Sequence, residues 1–239
     1  MTKTTINQKE LDKFEAMADE WWNPHGKFKP LHQFNPIRLS YIANMLKTEM
    51  NLPQHKLNQL KILDVGCGGG LIAEKLDQLG AKVTAIDASE VNINIAKAHQ
   101  KSSNSKVNYQ VATVENFKSE NKFDVVTCLE VVEHVDNLDY FLNHLLAKVR
   151  KDGFVFIATI NRTLKSLLFA KFAAEYILNW LPKGTHDFNK FLKPSELNNL
   201  LQQKSKLIAQ SGFKYNILSQ SWELSKNLSQ NYIMLYKKN

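Results

Sequence analysis

The sequence predicts an α/β fold, a mostly parallel sheet covered by helices on both faces. Three observations carry that reading. From Lys61 onward, short β-rich runs alternate with helical patterns, the signature of strands joined by crossover helices. Four of the nine glycines crowd into residues 66–70 (GCGGG), directly after the first run. An acid, Asp87, closes the second run, 17 residues past Gly70.

The elements follow in order. Residues 1–60 read as a helical cap: a helical pattern over 11–22, then Pro24, Pro30 and Pro36, then a helix from Ile37. Lys61–Val65 (KILDV) is the first strand, and the helix after it, 70–79, stops at Gly80, a residue free to turn left-handed. A second strand spans 82–86, Ser89 caps a helix over 89–101, a third strand covers 107–111, and Phe123–Leu129 is the fourth. A helix over 138–150 leads through a turn at Lys151, Asp152 and Gly153 into a fifth strand, 154–159. The alternation then breaks over 160–195. Ser195 opens a helix toward Ala209, and strands at 213–219 and 232–236 complete the sheet. With no internal repeat and no flexible linker, the 239 residues form one domain: cap 1–60, core 61–159, insertion 160–195 and C-terminal segment 196–239.

Composition narrows the function. A hydrophobic fraction of 44% and a charged fraction of 23% suit a soluble folded enzyme and oppose both disorder and an integral membrane protein. Cys67 and Cys128 have no metal-ligand spacing and the N-terminus has no apolar signal core, so a reducing cytoplasm is expected. The net charge of +8 (31 basic, 23 acidic) would suit nucleic acid, but only Arg38, Arg150 and Arg162 are arginines. Base reading and phosphate clamping favour arginine, so a nucleic-acid partner is not expected.

A glycine-rich turn after a strand lets a ligand reach the main chain where open α/β sheets bind nucleotides, and Asp87 is placed to hold both ribose hydroxyls. An adenosine-containing cofactor follows. A dinucleotide motif begun at Gly66 would need glycine where Leu71 stands; begun at Gly68 it reads Gly68-x-Gly70-x-x-Ala73, two residues late. Asp64, just before the loop, would repel a pyrophosphate but suits a ligand carrying an ammonium and a sulfonium. Charge therefore favours S-adenosylmethionine, bound by Asp64, Gly66, Gly68 and Asp87.

These residues, Asp64 to Gly70 (DVGCGGG) with Asp87, resemble the class I methyltransferases. Further segments are similar to one subfamily, the O-methyltransferases of ubiquinone biosynthesis: 13–22 (KFEAMADEWW), 28–41 (FKPLHQFNPIRLSY), 124–135 (DVVTCLEVVEHV), Asn161-Arg162, and 174–191 with its KGTHD. The resemblance spans nearly the whole chain. It implies a Rossmann-like, seven-stranded, mostly parallel sheet, and it implies that Arg38, Gly66, Asp87 and Leu129 contact S-adenosylmethionine. Arg38 would pair with the cofactor carboxylate, and Leu129, where bacterial relatives carry Met, would pack near the adenosine or sulfonium. The implied reaction is O-methylation of a polyprenylated catechol (2-polyprenyl-6-hydroxyphenol) and of 3-demethylubiquinol.

Methyl transfer to oxygen needs alignment and removal of the phenolic proton. Glu130, Glu133 and His134 follow the fourth strand at the sheet edge, and in a helical turn all three would share one face. Three readings stay open. His134 has the right ordinary pKa to act as general base. The triad could instead hold a divalent ion that a catechol chelates, as Mg2+ is thought to serve in eukaryotic relatives. Or Glu133 and His134 cap or orient the helix while Glu130 binds backbone amides. His186 is a secondary loop candidate, and Trp21 and Trp22 could line a quinone pocket or simply fill core.

Residues 164–181 (LKSLLFAKFAAEYILNWL) form the most apolar stretch outside the sheet, with one polar stripe at Lys171, Glu175 and Asn179. It is too charged and short to span a bilayer. It is expected to cover the acceptor pocket and rest on an anionic membrane surface, making the protein cytoplasmic and peripheral to the inner membrane. Other ubiquinone-pathway enzymes are expected as complex partners. Rival readings are a methyltransferase for another phenol or quinone precursor, a non-catalytic basic binding protein, and a nicotinamide oxidoreductase.

Overall fold

The computed structural model describes residues 4–52, 57, 60–168, 188–216 and 221–239. Helix α1 (Gln8–Glu15) and the long α2 (Lys29–Met50) precede the sheet. Strands β1 (Lys61–Val65), β2 (Lys82–Asp87), β3 (Asn108–Val111), β4 (Phe123–Leu129) and β5 (Val149–Ile160) then alternate with α3 (Leu71–Gln78), α4 (Glu90–Ser103) and α5 (Leu138–Lys148). After α6 (Leu164–Leu168) and α7 (Pro194–Leu201) come β6 (Ser205–Asn216), β7 (Ser221–Ser225) and β8 (Asn231–Lys238). The order in space is β3-β2-β1-β4-β5-β8-β6-β7. The first five strands run parallel, and β8, β6 and β7 add antiparallel.

Strand residues alternate between two cores, as a period of two requires. Ile62, Val83, Val125 and Phe154 pack with α2, α3 and α4, whereas Leu63, Ile86, Val126 and Val155 pack with α5 and α7. The strand order reverses between β1 and β4, so a crevice opens beyond their carboxyl ends, where open α/β sheets place ligands.

Local signals gave the expected helix ends. The Ser89 hydroxyl accepts the Asn92 amide at 3.1 Å, Asn137 caps α5 by accepting from Tyr140 N at 3.1 Å, and Gly80 turns left-handed at φ +95°. Other expectations change. Among the described residues the sheet has eight strands rather than seven, because Ser221–Ser225 adds β7 beside β6; the helix foreseen over 195–209 ends at Leu201, and β6 begins at Ser205 rather than at 213 by pairing with β8. Tertiary pairing overrides helical propensity there. The turn at 151–153 is an irregularity inside β5, with Asp152 at φ +58° and a register shift between Phe123 and Val125. The N-terminal helix stops at Glu15, and a 3-10 turn, Ala18–Glu20, bends the chain toward Trp21. Helix α2 starts at Lys29 rather than Ile37, with Pro30 in its first turn, where a missing N–H costs nothing. The expectations for 169–187, including most of the apolar stretch, its polar stripe and His186, lie outside the described residues.

Candidate functional site

A cavity of about 320 Å³ opens at the crevice, and the nine residues assigned from the sequence to the cofactor and to catalysis line it: Arg38, Asp64, Gly66, Gly68, Asp87, Leu129, Glu130, Glu133 and His134. Trp21 lines it too, stacked on Phe28 with ring centroids 3.8 Å apart. Its neighbour Trp22 instead stacks on His99 at 3.3 Å and donates to the Gly69 carbonyl.

The glycine loop after β1 is left-handed at Gly66 (φ +71°) and Gly68 (φ +52°). It also has no room for side chains: a Cβ at Gly66 would sit 2.4 Å from Val131 Cγ2, and one at Gly68 2.4 Å from the Trp21 ring. Asp87 at the end of β2 ties this loop to α4. Its Oδ2 accepts Gly68 N at 2.9 Å, and its Oδ1 accepts Ser89 N at 2.9 Å and Asn92 Nδ2 at 3.3 Å. Burial pushes its pKa up, against the pull of those hydrogen bonds. Asp64 is buried on β1 and accepts from Thr127 Oγ1 of β4 at 2.7 Å. Burial raises its pKa to about 7, with the Asp87 charge adding to the effect and the Thr127 bond opposing it.

Arg38 reaches the cavity from α2 with only 2% of its surface exposed. Its Nη1 donates to Glu130 Oε1 at 3.0 Å, its Nη2 donates to Asn35, and its plane lies 4.2 Å over the Phe34 ring. Its Nε is buried without a hydrogen-bond partner. Leu129, half-buried at the end of β4, packs against the α2-side core.

The segment after β4 departs from the helical face expected for it. Glu130 is left-handed at φ +56°, its amide bonded to the Ala158 carbonyl of β5, and only Val132–His134 form a 3-10 turn. Each of the three side chains has a partner of its own. Glu130 pairs with Arg38; Glu133 accepts from Thr159 Oγ1 at 2.8 Å through Oε2 and leaves a buried Oε1 without a partner; His134 Nδ1 meets Glu10 Oε2 at 2.9 Å. Burial and the Glu133 charge raise the Glu130 pKa to about 7 against the pull of Arg38 and His134. Burial lowers the His134 pKa, but the Glu10 hydrogen bond and the charges of Glu133, Glu10 and Glu130 outweigh it, so the net shift is upward. Among the described residues, no three His, Cys, Asp or Glu side chains form a group able to hold a metal ion.

Glu10 is the residue that sequence reasoning misses. It sits beside Asp12 and Glu15 on a polar helix, and nothing local sets it apart. Thr127 and Thr159, which donate to the buried Asp64 and Glu133, are equally silent in the sequence. The cavity gathers Asp64, Asp87, Glu130 and Glu133 around one guanidinium and one imidazole. That donor set suits a ligand with cationic groups and a ribose, while the unpartnered Arg38 Nε suits a carboxylate.

Residues 37–204 match a family described as a methyltransferase domain. The chain is 48% identical over 238 residues to a ubiquinone biosynthesis O-methyltransferase of Pelagibacter ubique, covering 98% of this chain and 99% of that protein. It is also 48% identical over 242 residues to one from Bartonella tribocorum, covering 99% and 98%. Among solved structures, magnesium protoporphyrin IX methyltransferase from Synechocystis PCC 6803, crystallised with S-adenosylhomocysteine, shares the fold with a TM-score of 0.69 at 18% identity, covering 97% of this chain and 99% of that one.

Proposed function

We infer the reaction from the premise that the chain belongs to the ubiquinone biosynthesis O-methyltransferases. It is an S-adenosylmethionine-dependent O-methyltransferase of that pathway, and its acceptor is a polyprenyl phenol. The acceptors proposed in detail are 2-polyprenyl-6-hydroxyphenol and 3-demethylubiquinol.

S-adenosylmethionine supplies an electrophilic methyl group on a sulfonium. In this reading Arg38 takes its carboxylate, Asp64 its cationic groups, Gly66 and Gly68 allow close main-chain approach, Asp87 holds the ribose, and Leu129 packs against the adenosine side. His134, on the same cavity, accepts the phenolic proton at Nε2. Glu130 and Glu133 supply negative charge that favours the resulting imidazolium. The observation that carries this reading is a single cavity lined both by the glycine loop with Asp87 and by His134. Transfer of labelled methyl to a short-chain polyprenyl catechol tests it. The wild type is expected to form product with and without EDTA, and His134→Ala is expected to bind S-adenosylhomocysteine yet lose transfer. Undiminished turnover in His134→Ala overturns the base assignment.

The membrane reading concerns the insertion at 160–195, proposed to rest on anionic lipid at the cytoplasmic face of the inner membrane, with other ubiquinone-pathway enzymes as partners. Its support is the apolar composition of 164–181 and the exposure of Leu164 at 76%. Among the described residues, no helix is long and apolar enough to cross a membrane. Co-sedimentation with anionic vesicles at low salt, lost on deleting 164–181, is the expected result; failure of the intact chain to sediment overturns it.

A further inference from the structure

The Glu10 carboxylate is fixed at both ends. Its Oε1 takes Lys13 Nζ at 3.0 Å and its Oε2 meets His134 Nδ1 at 2.9 Å, across 124 residues of sequence. Only 13% of its side-chain surface and 15% of that of His134 is exposed. The ring of Phe14, one helical turn further along α1, meets the His134 ring edge-on at 5.2 Å and restricts its rotation. The helix itself is fastened beside the His134 turn. Asn7 caps it by accepting from Glu10 N at 3.2 Å while donating to Asp136 at 2.7 Å, Thr5 donates its amide and hydroxyl to Glu115, and Asp136 N bonds Thr5 O at 3.2 Å. His134 Nε2 has no hydrogen-bond partner among the described residues.

We propose that Glu10 is the positioning residue of His134, holding the ring proton on Nδ1 so that Nε2 faces its task as an acceptor. The proposal deepens the base assignment above and rests on it. A carboxylate that accepts from Nδ1–H selects one tautomer of a neutral imidazole, and a histidine in the wrong tautomer cannot take a proton at Nε2. Glu10 touches neither reactant in this role; it acts through His134. Lys13 serves the same end by holding the other carboxylate oxygen.

The test compares full-length Glu10→Ala, Glu10→Gln, Thr5→Val and His134→Ala. Glu10→Ala is expected to lower kcat by roughly 10- to 100-fold, within the range that general-base catalysis contributes, with S-adenosylhomocysteine affinity held within about twofold. Glu10→Gln, whose amide oxygen still accepts from Nδ1–H, is expected to recover most of that loss. Nitrogen NMR of the His134 ring, recorded where it is neutral, is expected to show the Nδ1–H tautomer in the wild type and a shift toward Nε2–H in Glu10→Ala. Thr5→Val loosens the strap without touching Glu10 and is expected to leave the tautomer unchanged. An unchanged tautomer in Glu10→Ala, or an equal loss of kcat in Thr5→Val, overturns the proposal. If His134→Ala is inactive while Glu10→Ala is fully active, only the role of Glu10 fails; if His134→Ala is active, the base assignment fails with it.

Discussion

Arg38 and Glu130, 92 residues apart in sequence, meet at 3.0 Å on the wall of the cavity, the guanidinium 2% exposed and the carboxylate 20%. Glu130 makes this contact from a left-handed backbone at φ +56°, directly after β4 ends. Arg38 is thus anchored by a residue from the acceptor side while its Nε stays unpartnered.

Breaking this pair at one end should cost more than removing both ends. Arg38→Ala leaves Glu130 beside Glu133 without its counter-charge, and loss of one partner from a buried pair costs about 3–5 kcal/mol. Urea unfolding is expected to show a loss of that order for Arg38→Ala and a smaller one for Arg38→Ala with Glu130→Gln. Calorimetry is expected to show the S-adenosylhomocysteine affinity of Arg38→Lys reduced by tenfold or so, because lysine keeps the charge but not the planar fork.

The glycine loop offers a steric test. An alanine at Gly68 would need φ +52° and would drive its Cβ into Trp21 at 2.4 Å. Gly68→Ala should therefore lose about 1–3 kcal/mol of stability together with cofactor affinity. Adding Trp21→Ala removes the collision but not the backbone strain, so the double mutant should show partial, non-additive recovery. Additive losses in thermal melts would mean that the loop and the indole do not press on each other.

What was legible in the sequence was local. The alternation after Lys61, the Ser89 cap and the Gly80 stop are each set by neighbours within a few residues, and the structure carries all of them. The departure of Glu130, Glu133 and His134 from one helical face was not legible, because the Glu130 backbone is left-handed and its amide bonds to Ala158 on the adjacent strand. The same physics hid the first part of β6, 205–212, where pairing with β8 decides against the helix expected there, and Glu10, whose partner lies in a distant turn.

Two acids should make stability depend on pH in opposite directions. Asp64 has a folded pKa raised from 3.8 to about 7 by burial, so between those values the folded state holds the proton that the unfolded state has lost. Stability from this group therefore falls as pH rises from about 4 to 7, and Asp64→Asn should flatten that slope. Glu10 has a folded pKa lowered from 4.5 to about 2 by its bond to His134. Its contribution is present above pH 4.5 and lost as pH falls toward 2, and Glu10→Gln should abolish it. Denaturant midpoints measured from pH 2 to 8 for the two variants check both signs.

Thr159 tests whether Glu133 acts through its orientation. The hydroxyl at the end of β5 donates to Oε2 at 2.8 Å and is fully buried, while Oε1 is buried without a hydrogen-bond partner. Thr159→Val keeps the shape but leaves a second buried carboxylate oxygen unpaired, at a cost of about 1–3 kcal/mol. Thr159→Ser restores the donor without the methyl group and should recover the stability. If Glu133 helps to favour the His134 imidazolium, a carboxylate freed from Thr159 turns away from it, and kcat should fall in the valine variant while cofactor affinity holds. Equal kcat in the valine and serine variants would make Thr159 a packing residue and leave Glu133 without a fixed part in the chemistry.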